Sequence, residues 1–126
     1  PNRQIIIYPD PAARQRKTSS AGRTDLSILQ NSGFMTKARS SHPAVRDRIN
    51  AVNSRLKSGS GERHLFFTDK CKQVIKSLER QTYKEGTSQP NKDDGYDHMN
   101  DALGYMVEYL FPVRTDYNTE QPTRWT

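Results

Sequence analysis

Two prolines close behind the run Gln4-Ile5-Ile6-Ile7-Tyr8 limit what it can become. The run is short and rich in β-branched residues, which favours a strand. Pro9 and Pro11 have no N–H for a ladder, so the strand must end there. Asp10, held between them, therefore sits just past a strand's C-terminal end. Two more short runs, "FMTKA" at 34–38 and "RHLFFT" at 63–68, also predict strands. Helical patterns alternate with them. Thr24 suits the N-cap of "DLSILQ", with Asp25 favourable in the first turn and Gly33 as the stop. After His42-Pro43, the residues Val45, Ile49, Val52 and Leu56 recur at helical intervals as one apolar stripe. Thr68 or Asp69 is placed to cap a helix with Cys71, Val74, Ile75 and Leu78 on its apolar side. A last helix, "YDHMNDALGYMVEYLF" at 96–111, carries Met99, Ala102, Leu103, Met106, Val107 and Leu110 on its predicted buried face. Strand, helix, strand, helix, strand, helix, helix is the order of an α/β layer structure, with functional loops at the C-terminal ends of strands.

The core such a chain can build is thin. Of 126 residues only 32% are hydrophobic, so the chain reads as one domain, or as part of one that leans on neighbours. A first residue that is Pro rather than Met points the same way. Cys71 is the single cysteine, which excludes a disulfide within the chain and a multi-cysteine zinc site; its place on an apolar helix face predicts a core residue. No apolar run approaches the roughly 20 residues of a membrane span, and no signal-peptide pattern opens the chain. A soluble, intracellular protein is expected. Residues 13–23 and 85–95 form polar connections long enough to be functional or disordered, and after Pro112 the chain turns into a polar tail, 113–126.

Charge is distributed unevenly. Between residues 11 and 64 eleven Lys or Arg face three acids, an excess of eight, whereas 93–101 holds Asp93, Asp94, Asp97 and Asp101 and no Lys or Arg. A basic body with one acidic spot suits a polyanion binder that also holds metal ions, although charge runs are more often solvated surface. On the last helix Asp97, His98 and Asp101 are spaced three and four apart, so their side chains can meet at one edge of the apolar stripe. Two carboxylates at that spacing repel, and helix propensity gives no reason for them. Magnesium or manganese supplies one, since hard cations take carboxylate oxygens together with water and phosphate. Asp10 is the natural partner from another element, and paired metal ions can activate water for phosphodiester cleavage. The plainer alternative is that Asp94 or Asp97 caps the helix. Asp101 lies too far into the helix to be a cap. His98 is a ligand, a partner of Asp101 or a core histidine, and the last is the commoner case. His42 and His64 receive no role. No G-x-x-x-x-G-K-[ST] loop is present, so ATP hydrolysis by that route is excluded.

These residues also resemble a known family. "IIIYPDPA", then "TDLSILQNSGF", "HPAVRDRINAVNSRL" and "DHMNDALGY" are similar to the C-terminal nuclease domain of the large terminase subunit of tailed phages, over residues 4 to 112. The most specific pieces are "HPAVRDRINAVN" and the H-x-x-D-A-x-x-Y pattern at His98, Asp101, Ala102 and Tyr105. The resemblance implies an RNase H-like mixed sheet flanked by helices, incomplete at its N-terminal side, over 1–112. It implies cutting of concatemeric phage DNA by three acids that bind Mg2+ or Mn2+, with the second acid at Asp10 and the third at Asp101. Asp97 falls outside the family's set and stays an auxiliary metal candidate, with His98 as a residue behind the ligands. The first acid and the ATPase domain are expected upstream of Pro1. Implied partners are double-stranded DNA, the terminase ATPase domain and small subunit, and the portal protein. The implied location is the host cytoplasm, outside the mature virion.

On this reading Arg14, Arg16, Lys17, Arg46 and Arg48 face the DNA backbone, where phosphate contacts give affinity without sequence reading. A non-catalytic DNA-binding or packaging-assembly module is the competing class; there the acids are caps and the basic surface does the binding. Another RNase H-like nuclease, such as a resolvase, would share the metal chemistry.

Overall fold

The computed structural model describes residues 4–15 and 22–113 of the chain. Strand β1 (Ile6–Ile7) runs parallel to β2 (Met35–Thr36), with Ile6 opposite Met35 and Ile7 opposite Thr36. Lys37 N–H continues the pairing to Ile7 C=O at 2.9 Å. Both strands are much shorter than the predicted runs. The prolines end β1 as expected, and a 3₁₀ turn, Pro11–Arg14, follows directly. Asp10 caps that turn, accepting from Ala12 N–H at 2.8 Å. Helix α1 (Asp25–Asn31) begins at Thr24, whose hydroxyl accepts from Ser27 N–H while the Ser27 side chain accepts from Thr24 N–H. This reciprocal cap satisfies two of the donors that every helix start leaves open. Gly33, at φ +91°, turns the chain out of α1 toward β2 in a conformation that a side chain would strain.

Helices α2 (Val45–Leu56), α3 (Lys72–Arg80) and α4 (Asp97–Leu110) form the rest of the fold, α4 packing against both of the others. Their shared core is Ala51, Val52 and Val107, with Leu56, Leu65, Leu78, Leu103 and Met106 packed around it. Cys71 sits half-buried at the N-cap of α3, which has no side-chain cap, so neither Thr68 nor Asp69 takes that role. The 85–95 connection is partly ordered by an antiparallel bridge between Tyr83 and Pro90.

Three predicted features change. The run 63–68 joins no sheet among the described residues; it lies along the end of α2, where His64 N–H and Leu65 N–H both donate to Arg55 C=O. The sheet of the described residues is therefore a parallel pair rather than a mixed sheet. The buried face of α2 is Arg48, Ala51 and Val52, so the predicted stripe is turned, with Val45, Ile49 and Leu56 only half covered. On α4 the turn goes further. Asp97, Gly104, Val107 and Glu108 are buried, whereas Met99 and Leu110 are exposed. Arg39, from another segment, pairs with Glu108 and accounts for that acid's inward place, whereas Arg48 pairs with half-buried Asp101 and leaves Asp97 without a cation from another segment among the described residues. No helix of the described residues is long and apolar enough to cross a membrane.

Candidate active site

Asp10 and Asp101 come from opposite ends of the chain and meet one linked set of side chains. The strand and its prolines deliver Asp10. Its Oδ1 accepts from Ala12 N–H and lies 2.6 Å from His42 Nε2, and its Oδ2 accepts from the Tyr105 hydroxyl at 3.2 Å. The Tyr105 ring also carries the Arg48 guanidinium, whose carbon is 4.6 Å from the ring centroid, a cation–π distance. Arg48 Nη1 in turn donates to Asp101 Oδ1 at 2.8 Å. The sequence Asp10, Tyr105, Arg48, Asp101 is thus continuous, with His42 stacked edge-on against Tyr105 on one side. Helical spacing accounts for half of it, since Tyr105 follows Asp101 by one turn on α4.

Protonation follows from these contacts. Burial raises the Asp10 carboxyl, but the Ala12 N–H, His42 and Tyr105 together outweigh it and hold the group below the ordinary carboxylate value. Burial pushes the Tyr105 phenol above its ordinary value. Arg48 opposes that rise while Asp10 and Asp101 add to it, so the hydroxyl keeps its proton and donates to Asp10.

The other predicted residues are placed differently. Asp97 is the first residue of α4 and is buried; Tyr96, not Asp94 or Asp97, is the N-cap. Asp97 Oδ1 has no hydrogen-bond partner. His98 points into solvent, with Nε2 4.0 Å from Asp97 Oδ1, so it does not stand behind Asp101. Arg48 is buried rather than facing outward, and it is removed from the set of backbone contacts. Arg14 is exposed, but its guanidinium is tied to the carbonyls of Arg39 and Ala38 at 2.9 and 2.7 Å. Arg46 remains exposed. Arg16 and Lys17 lie outside the described residues. Sequence reasoning missed His42 and Tyr105 as partners of Asp10 and Arg48 as the partner of Asp101. The H-x-x-D-A-x-x-Y pattern contained Tyr105, and that was the one available signal.

Whether these groups suit a divalent ion can be judged from their oxygens. Both Asp10 oxygens are engaged, Asp101 Oδ1 is held by Arg48, and among the described residues no three His, Cys, Asp or Glu side chains are grouped to hold a metal. The set as arranged does not fit such an ion, because a guanidinium already supplies the positive charge at Asp101. Comparison with curated proteins and with solved structures gives no significant match. The profile of the family described as "Terminase RNaseH-like domain" does match, over residues 3–110. With nearly the whole chain covered and the two acids of the resemblance drawn into one side-chain network, the chain belongs to the terminase RNaseH-like domain family, the nuclease domain of phage terminases.

Proposed function

We propose that this domain is the DNA-cutting segment of a phage packaging terminase, acting on concatemeric double-stranded DNA, with Asp10 and Asp101 as the acids on which cleavage depends. The observation that carries the reading is the continuous link from Asp10 through Tyr105 and Arg48 to Asp101. Acids 91 positions apart in the sequence are unlinked unless the fold selects them. Mg2+ or Mn2+ is the cofactor the family implies. The residues as arranged do not fit it. Exposed Arg46 and the basic excess of the first half supply attraction to phosphate. The ATPase domain, small subunit and portal are the partners of a packaging machine, and the host cytoplasm is where it would work.

One observation favours the other reading, a non-catalytic DNA-binding module. Each acid already has a structural task, Asp10 as the cap of the 3₁₀ turn and Asp101 as the counter-charge of Arg48. Isosteric variants separate the two, made in a terminase subunit that carries this sequence together with the family's first acidic strand. Asp101→Asn and Asp10→Asn should each abolish cleavage, a loss of at least about a hundredfold, or about 2.7 kcal/mol at 1.36 kcal/mol per tenfold. DNA binding should be retained. Asp97→Asn should have a smaller effect. Full cleavage in both the Asp10 and Asp101 variants would establish the binding-module reading instead.

A further inference from the structure

Three buried polar atoms of the described residues have no hydrogen-bond partner: Arg48 Nε, Asp97 Oδ1 and Asn100 Oδ1. All three residues line one pocket of about 180 Å³ between α2, α4 and the segment that follows α3. Leaving such atoms unmet is costly, so their meeting in one place needs a cause. Water can satisfy an amide oxygen. A buried carboxylate calls for a positive charge, and the ion pair of Asp97 is a 4.0 Å approach to an exposed histidine. Across the pocket Arg48 is a buried cation that spends only Nη1 on Asp101 and leaves Nε idle. The unmet donor and the unmet acceptors are complementary.

The geometry also limits what can move. A Cβ on Gly104 would lie 3.3 Å from Arg48 Cβ and 3.7 Å from Cδ, so the Arg48 stem is pressed on the bare backbone of α4 as far as Cδ. Only the planar head beyond it is left to turn. Asp97 and Asp101 are one turn apart on the same helix, a separation of about 5–6 Å between Cβ atoms.

We propose that Asp97, with Asn100, is a second seat for the Arg48 guanidinium. The head turns from Asp101 to Asp97 and frees the Asp101 carboxylate and the face of Tyr105. Asp97 is then a positioning residue that acts on Asp101 through Arg48. The inference goes beyond the cutting role of Asp101 and does not require it, because both seats are defined by charge and burial alone.

The test uses the full chain without added metal. The Arg48 Nε–H resonance, assigned by its loss in Arg48→Lys, is followed in Asp101→Asn. It should move downfield and exchange with water at least about tenfold more slowly as Nε donates to Asp97, and both changes should vanish in the Asp97→Asn/Asp101→Asn double variant. Stability should show the same coupling. The double variant should lose at least about tenfold more in its folding equilibrium than the product of the two single losses, since each carboxylate backs up the other. In an Arg48→Met background the two losses should simply multiply. An unchanged Nε–H resonance in Asp101→Asn, or multiplicative losses in the wild-type background, would overturn the proposal. Where the double variant is too unstable to measure, the resonance in the single variant decides. None of these readouts involves cleavage, so a failed seat and a failed nuclease assignment give different results.

Discussion

Asp10 shows how much one residue is asked to do. It ends a strand, caps a turn and receives His42 and Tyr105. Its folded-state acidity is lowered, so it adds stability above the unfolded carboxylate value and loses it as pH falls through the folded one. Asp10→Asn should therefore lower the urea midpoint at pH 7, and the gap to the parent chain should narrow as pH drops from about 5 to below 3.8. Because half of the side chain is exposed, the gap should be modest. A gap independent of pH would mean that the carboxylate charge plays no part. At this scale the placing of the two acids, one just past a strand and one within a helix, was legible, because prolines and a helix motif bracket them. His42 and Tyr105 were not, since they stand 32 and 95 positions from Asp10 and no local pattern ties them to it.

Among the elements, α4 departs furthest from its sequence pattern. Its apolar residues point one way, yet the face that goes inward includes Asp97, Gly104 and Glu108. Periodicity reports where a helix is greasy, whereas the burial of Glu108 is decided by Arg39, which arrives from a distant segment and neutralises it, and Asp97 goes inward without such a partner among the described residues. Arg48 departs from its pattern for a related reason: a charged residue reads as surface, yet this one lies one turn from Ala51 and Val52 and is buried with them. The start of α1 and the end of β1 were legible because caps and prolines act locally. The contact of α2 with α4 turns on Gly104. Gly104→Ala gains about 1 kcal/mol of helix propensity but presses a methyl on Arg48 Cβ, which rides on the α2 backbone, at a cost of about 1–3 kcal/mol. The variant should be less stable by about 1 kcal/mol in urea titration with an unchanged slope. A more stable variant would show that α2 yields freely.

For the whole molecule, the net charge of +6 gives long-range attraction to DNA, but the cations differ in freedom. Arg46→Ala should reduce the slope of log K against log salt by roughly 0.9 if it meets one phosphate. Arg14→Ala should leave the slope nearly unchanged and lower stability, since Arg14 is bonded to the carbonyls that follow β2. Equal slopes for all three proteins would remove Arg46 from the interface. The α/β class and the helices were legible at this scale. The small sheet was not, because Phe66 and its neighbours carry a strand's composition without a strand's partner among the described residues. The Asp10–Tyr105 bond has one more consequence. A ribosome adding about 5–20 residues per second makes the tyrosine roughly 5–19 s after the aspartate. The acid therefore waits without its latest partner throughout that interval, and a nascent chain arrested before α4 would carry the basic stretch and Arg48 but neither Tyr105 nor Asp101.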